Sequence, residues 1–258
     1  MKILVCVKSV PDAESSFRIN NEGTGYDDEG LVFHVNEYDL YAMEEAVRIR
    51  ERFGEAEISV VSVGPPRVEE QVRKAMGLGA DHGYMIDDSE APAEDALSIA
   101  SLIAAWAKDK RFDLVLCGVM SEDMQRCQTG PMLAQLLDLP CATTVIRQEI
   151  SDDRKTITCE RELEGGVRER VLLPLPALLT IQSGINAPRY ASLSNVLRIK
   201  KLDIPLIPAE SLGAAGRCES VVRAYVPDMK SDCMILEGGH EAVALRLIEI
   251  IRSKTQTL

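Results

Sequence analysis

Gly118-Val-Met-Ser-Glu-Asp-Met-Gln-Arg-Cys-Gln-Thr-Gly-Pro131 follows an apolar run at 114–117 and opens onto a helix-like segment at 132–137. A strand that ends in a glycine-bracketed polar loop and enters a helix is how α/β proteins hold a phosphate. The helix N-terminus offers unpaired N–H groups and the positive end of a dipole. Gln128, Thr129 and Gly130 stand where those N–H groups point, and Pro131 suits the first turn because it has no donor to lose. The loop carries no lysine of the Walker kind, so it suits holding a nucleotide and not phosphoryl transfer.

Strand-like and helix-like segments alternate on the N-terminal side of this loop. Residues 2–7 are a β-branched run. Residues 39–53 space Ala42, Met43, Ala46, Val47 and Phe53 as one helix face, with Asn36 placed to cap the helix, Asp39 three residues on, and Gly54 to end it. A strand at 57–63, a helix at 67–76 and a short strand at 84–86 come next. A helix at 93–107, the strand at 114–117, the helix at 132–137 and a strand at 142–146 complete the series. This alternation predicts an α/β fold: a doubly wound, mainly parallel sheet with ligands at the carboxyl ends of its strands.

The pattern changes after Gln148. Segments 156–163 and 168–173 flank Glu164-Gly-Gly166 and predict an antiparallel hairpin. A strand at 178–182 follows, then a polar segment at 183–195 whose Pro188-Arg189-Tyr190 resists strand pairing. Residues 204–232 hold Pro205, Pro208 and Pro227 with little periodicity, which predicts an extended C-terminal arm. An amphipathic helix at 241–252 offers Leu245, Ile248 and Ile251 for packing. The division expected is a nucleotide-binding α/β domain over 1–200, then the arm and helix over 201–258.

Composition narrows the function. The 258 residues are 46% hydrophobic but only 4% aromatic, so the core is built from aliphatic side chains. A net charge of −12 argues against nucleic acid, which asks for a basic footprint. No apolar run reaches the ~18 residues of a membrane span, and Met1-Lys2 leads into a strand without a signal-type cleavage pattern. The seven cysteines lie outside metal-knuckle spacing, and their odd number fits no disulfide framework. The expectation is a cytoplasmic, metal-free protein. Gly77-Leu-Gly-Ala-Asp-His-Gly83 imitates a dinucleotide fingerprint, but it ends a helix and precedes a strand, the reverse of the required order. No arrangement of Ser, Cys, His and acidic residues suggests a catalytic constellation.

Several motifs in order carry a resemblance. They are Lys8-Ser-Val-Pro-Asp12, Asn36-Glu-Tyr-Asp39 running into Ala42-Met-Glu-Glu-Ala-Val47, Ala75-Met-Gly-Leu-Gly-Ala-Asp81, and the loop before Pro131. Arg161-Glu-Leu-Glu-Gly-Gly166, Leu175-Pro-Ala177 and Asn186-Ala-Pro-Arg-Tyr190 follow. Over residues 1–201 the chain resembles the β subunit of electron transfer flavoprotein. The resemblance implies a heterodimer with an α subunit that holds the redox-active FAD. The β subunit itself then holds AMP, or a second FAD in the electron-bifurcating type. Carried over by position, the nucleotide contacts are Cys6, Asn36, Glu37, Tyr38, Asp39, Val63, Val119, Asp123, Cys127, Gln128, Thr129 and Gly130. The partner contacts are Tyr190 and Leu193, in a recognition loop for dehydrogenases, and Glu162, which in the family helps the flavin domain swing.

This chain departs from the family where Val119-Met120 replaces a Lys-Gln pair and Asp123-Met-Gln125 replaces a D-x-D pattern. The basic tract Arg198-Ile-Lys-Lys-Leu202 is also shorter. The function expected is an electron-carrier subunit that binds a nucleotide and passes electrons from acyl-CoA-type dehydrogenases to an acceptor such as a membrane-bound oxidoreductase. It is an electron-transfer protein with no catalytic constellation of its own. The alternatives are a bifurcating type whose second FAD oxidises NADH, and an adenine-nucleotide-dependent hydrolase or ligase. The last asks for a Gly-rich loop after the first strand, where Ser9-Val-Pro-Asp12 stands instead.

Overall fold

The computed structural model describes residues 1–93, 95–213, 217–228 and 233–254. In chain order its first elements are β1 (Lys2–Cys6), β2 (Ser9–Pro11), β3 (Phe33–Val35), α1 (Glu37–Phe53), β4 (Glu57–Val63), α2 (Glu69–Gly77), β5 (His82–Asp87) and α3 (Ala96–Ala107). Then come β6 (Leu114–Gly118), α4 (Thr129–Leu136), β7 (Cys141–Ile150), β8 (Thr156–Glu162), β9 (Arg168–Pro174), β10 (Ala177–Ile181), α5 (Leu193–Ile199), β11 (Leu206–Pro208) and α6 (His240–Lys254).

The main sheet has the order β11-β5-β4-β1-β6-β10-β7-β8-β9. Every pairing from β11 to β7 is parallel, and β8 and β9 add antiparallel strands at one edge. Strand β1 shows why the sheet is covered twice. Ile3 and Val5 join the apolar layer under α1 and α2, while Leu4 and Cys6 join the layer under α3 and α4. A strand buried on both faces reads as a continuous apolar run, which is how β1 and β6 looked in the sequence. The expected doubly wound α/β architecture and the antiparallel hairpin are both present.

Several boundaries differ from the sequence reading. Helix α4 starts at Thr129, three residues before the expected 132, because the Met132 N–H already donates to the Gln128 carbonyl at 3.1 Å. Strand β7 runs on to Ile150 instead of stopping at 146. Thr144 adopts φ 54° and the ladder shifts between Val145 and Arg147, and beyond that irregularity the Gln148 amide reaches Glu45 of α1 at 2.8 Å. The small β2–β3 sheet and α5 had no clear signal. Gly54 ends α1 at φ 73°, as its placement predicts.

Within 201–258, β11 pairs with β5 at the sheet edge and Ala209 is buried in the second layer. Residues 217–228 form neither helix nor strand, whereas 214–216 and 229–232 of the expected arm lie outside the described residues. Helix α6 buries none of its residues, and Leu245 and Leu247 are exposed. No described helix is long and apolar enough to cross a membrane.

Candidate functional site

The carboxyl ends of β1 and β6 and the N-termini of α1 and α4 meet at one end of the sheet. Asp39, in the first turn of α1, ties the two strands together. Its Oδ2 accepts the Lys8 N–H at 2.8 Å and its Oδ1 accepts the Gly118 N–H at 2.9 Å. Burial pushes its carboxyl up to about 7, although the Lys8 and Gly118 N–H groups and the Asn36 side chain favour the charged form. Gly118 permits this approach, because a Cβ there would lie 2.6 Å from Tyr38 Cβ and 2.9 Å from the Tyr38 carbonyl carbon.

Asn36 occupies the N-cap position of α1 but does not cap it with its side chain. Its Nδ2 donates to the Met120 carbonyl at 2.9 Å, and its Oδ1 accepts the Glu122 N–H at 3.0 Å. The buried amide thus pins the 118–131 loop at two points. Glu122 returns the favour: its Oε2 accepts the Glu37 N–H at 3.0 Å and lies 3.2 Å from His34 Nε2. A carboxylate supplied by the loop therefore caps the helix that Asn36 was expected to cap. Lys8 Nζ holds Asp123 with 2.7 Å contacts to both carboxylate oxygens. Burial opposes ionisation of Asp123, but the Lys8 charge, together with bonds from Lys8, Ser121 and the Met124 N–H, keeps its pKa below the usual range.

This pairing decides what the loop can present to a ligand. Asp123 is neutralised by Lys8, and Glu122 is committed to α1 and His34. A donor set open to a phosphate lies at the start of α4, where the first N–H groups of any helix lack an intrahelical partner. Thr129 and Gly130 are its first two residues, with Thr129 adding a hydroxyl. Gln125 and Cys127 adopt φ 52° and 55°, which coils the loop just before that helix. The residues present fit an anionic nucleotide held mainly by backbone donors. The two-fold acidity of the loop is no obstacle, because both acids are spent within the protein.

The remaining expected contacts fall around this end. Glu37 is exposed and Tyr38 half-buried, and the Tyr38 phenol is pushed up by burial and then by Glu37 and Glu122. Cys6 ends β1 opposite Cys117, and Val63 ends β4 opposite Ile86. Both Cys6 and Val63 belong to the layer under α3 and α4. The Cys117 thiol is pushed up by its bond with Cys6 and by burial. Val119 is buried and its N–H is already given to the Ile181 carbonyl at 2.9 Å. Gln128 is exposed. Gly130 is buried, and a Cβ there would sit 2.4 Å from Thr180 Cγ2, so the glycine lets α4 close on β10.

The three expected partner contacts lie elsewhere. Glu162 is exposed at the end of β8, where its carbonyl accepts the Thr144 hydroxyl at 2.8 Å. Tyr190 is 98% exposed and Leu193 76% exposed, on a segment fastened from beneath. Arg189 grips Glu44 with Nε and one Nη at 2.8 and 2.9 Å and Glu51 with both Nη atoms at 2.6 and 3.1 Å. These bonds raise the guanidinium pKa further. Asn186 Nδ2 donates to the Tyr41 carbonyl and to Glu45, and Arg73 donates to the Ile199 and Leu202 carbonyls. Arg189, Lys8 and Glu122 are the residues that sequence reasoning did not single out. Lys8 and Arg189 stand in motifs that carry the resemblance, but nothing in the local sequence named the partner of any of the three charges.

Among the described residues, no group of three or more His, Cys, Asp or Glu is placed to hold a metal ion. A family model described as the electron transfer flavoprotein domain matches residues 24–211. The chain is 36% identical to the electron transfer flavoprotein subunit beta of Methylophilus methylotrophus, with 97% of this chain and 98% of the relative covered. It is 33% identical to the subunit of that name from Bacillus subtilis (strain 168), with both chains fully covered. It is 36% identical to the Homo sapiens one, with 98% of each covered.

Proposed function

The chain belongs to the electron transfer flavoprotein family as a β subunit, and from that premise we propose that it pairs with an α subunit and holds an adenine nucleotide in the 118–131 loop. The observation that carries the nucleotide reading is the start of α4. Its first N–H groups face the loop, and the acids on either side are already paired with Lys8, His34 and the start of α1.

In this reading the nucleotide phosphate lies against Thr129 and Gly130, and the buried Asn36 and Asp39 keep the loop and the two strand ends in place. The flavin, supplied with the α subunit, carries the electrons. This chain contributes the seat, the nucleotide and the docking surface. Tyr190 and Leu193, raised on the segment that Arg189 fastens, meet the electron-donating dehydrogenase. The exposed apolar side chains of 221–226 and of α6 are the part of this chain offered to the α subunit.

The test is acid extraction of the purified heterodimer with quantification of AMP and FAD. One flavin with one AMP per heterodimer supports the reading. Two flavins assign the loop to a second FAD and the subunit to the bifurcating type. Absence of any adenine nucleotide beyond the α-subunit flavin overturns the assignment of the loop.

A further inference from the structure

The described part of the C-terminal arm runs across the nucleotide loop. The Cys218 N–H donates to Asp95 Oδ2 at 2.9 Å, at the start of α3. The next residue, Glu219, pairs its carboxylate with the guanidinium of Arg126, inside the 118–131 loop. Five residues later the Ala224 N–H donates to the Gly23 carbonyl at 2.7 Å. Gly23 belongs to the 12–32 excursion that connects β2 to β3, and β2 leaves the end of β1 just after Lys8. Residues 218–224 therefore bridge three separate elements: the start of α3, the middle of the nucleotide loop, and the 12–32 connection.

The anchors are unequal. Asp95 is 2% exposed, and it also caps α3 by accepting the Ser98 N–H and the Ser98 hydroxyl, each at 2.8 Å. That end is fixed by a carboxylate whose bonds are sheltered from water. The Arg126–Glu219 pair is half in solvent, with side-chain exposures of 33% and 49%. An exposed ion pair is a weak and readily opened contact. Beyond it Val222, Tyr225 and Val226 are 91%, 66% and 70% exposed in this chain alone, the apolar side chains proposed above to meet the α subunit.

We propose that residues 218–224 form a strap across the nucleotide loop, fixed at Asp95 through the backbone of Cys218 and Glu219 and latched to the loop by the Arg126–Glu219 pair, and that the nucleotide leaves only when this latch opens and frees the loop. The proposal rests on the reading of 118–131 as the nucleotide site. It makes the arm a determinant of how long the nucleotide stays, a role separate from the contacts at the start of α4 that decide whether it binds.

The experiment uses the purified heterodimer carrying its nucleotide. Release is followed by adding excess radiolabelled AMP and measuring unlabelled adenine nucleotide in the filtrate over time. Glu219→Arg removes the pair and sets two like charges together, and it should speed release about fivefold, the rate change that roughly 1 kcal/mol of lost pairing represents. Glu219→Gln, which removes the charge without repulsion, should give a smaller rise. The double variant Arg126→Glu/Glu219→Arg restores an opposite-charge pair and should bring the rate back toward wild type. Release from Glu219→Arg at the wild-type rate overturns the strap and leaves the nucleotide site standing. A rise that the double variant does not reverse also overturns the latch. A wild-type heterodimer without a releasable adenine nucleotide overturns the site and the strap together.

Discussion

Gly118 donates its N–H to Asp39 Oδ1 at 2.9 Å, and a Cβ on residue 118 would lie 2.5 Å from that same oxygen. The contact that joins β6 to α1 therefore exists only with glycine at 118. Gly118→Ala should lower stability by about 1–3 kcal/mol, the usual cost of forcing an atom into a filled site. Urea midpoints of wild type and variant check this, and equal midpoints would mean that α1 can retreat without loss.

Asn36 serves the loop more than the helix it precedes. Asn36→Ala leaves the Met120 carbonyl and the Glu122 N–H without their partner, at about 1–3 kcal/mol for buried polar groups. Because those groups position the 118–131 loop, proposed to hold the nucleotide, nucleotide content should fall along with stability. A variant that is destabilised but fully loaded would confine Asn36 to a structural role.

Gly130 has two possible reasons to be glycine, and they can be separated. Gly130→Ala should reduce nucleotide content, because the added Cβ meets Thr180 Cγ2 at 2.4 Å and pushes α4 off β10. Thr180→Ser removes that methyl while keeping the hydroxyl that accepts the Thr144 N–H at 3.1 Å. The double variant Gly130→Ala/Thr180→Ser should regain its nucleotide if packing is the reason. Continued loss in the double variant would place the ligand itself against residue 130.

Leu193→Ala should slow electron transfer from a partner dehydrogenase about tenfold, the size of a modest interface anchor, while leaving the flavin spectrum and stability nearly unchanged. Arg189→Met should give a comparable loss, although its guanidinium is turned toward α1, because it frees the segment that presents Leu193. Stopped-flow rates for the two variants check this, and a wild-type rate for Leu193→Ala removes it from the interface.

Two carboxylates give stability opposite dependence on pH. Burial works against ionised Asp95, but hydrogen bonds from Ser98, Cys218 and Glu219 outweigh it and hold its pKa down to about 2. Its unfolded value is near 3.9, so its contribution is complete above about pH 4 and is lost as pH falls toward 2. Asp39 is raised to about 7, so its contribution is complete below about pH 4 and is lost as pH rises toward 7. The stability gap between wild type and Asp95→Asn should accordingly shrink from pH 4 to pH 2. For Asp39→Asn the gap should shrink from pH 4 to pH 7. Urea titrations across pH test both, and a pH-independent gap would refute the corresponding ionisation.

The apolar runs at 2–7, 57–63 and 114–117 and the helical spacing of 39–53 made the parallel sheet legible, because a strand covered on both faces must be apolar throughout. The 118–131 loop was legible as a loop entering a helix, since glycine, proline and the end of the apolar run are local signals. The β2–β3 pair and the continuation of β7 to Ile150 were not. The first is three residues per strand, and the second depends on a left-handed Thr144 that no propensity favours.

The sequence by itself determined the layer architecture, the position of the loop and its resemblance to the β subunits of electron transfer flavoproteins, because periodicity and motif spacing are properties of neighbours along the chain. Only the tertiary structure decided the roles of its charges. Asn36 was expected to cap α1, yet Glu122, 86 residues away, supplies the cap while Asn36 holds the loop. Lys8 and Asp123 find each other across 115 residues, and Arg189 reaches Glu44 across 145. A hydrogen bond depends on distance in space and angle, and nothing local in the chain records which distant group the fold will bring to it.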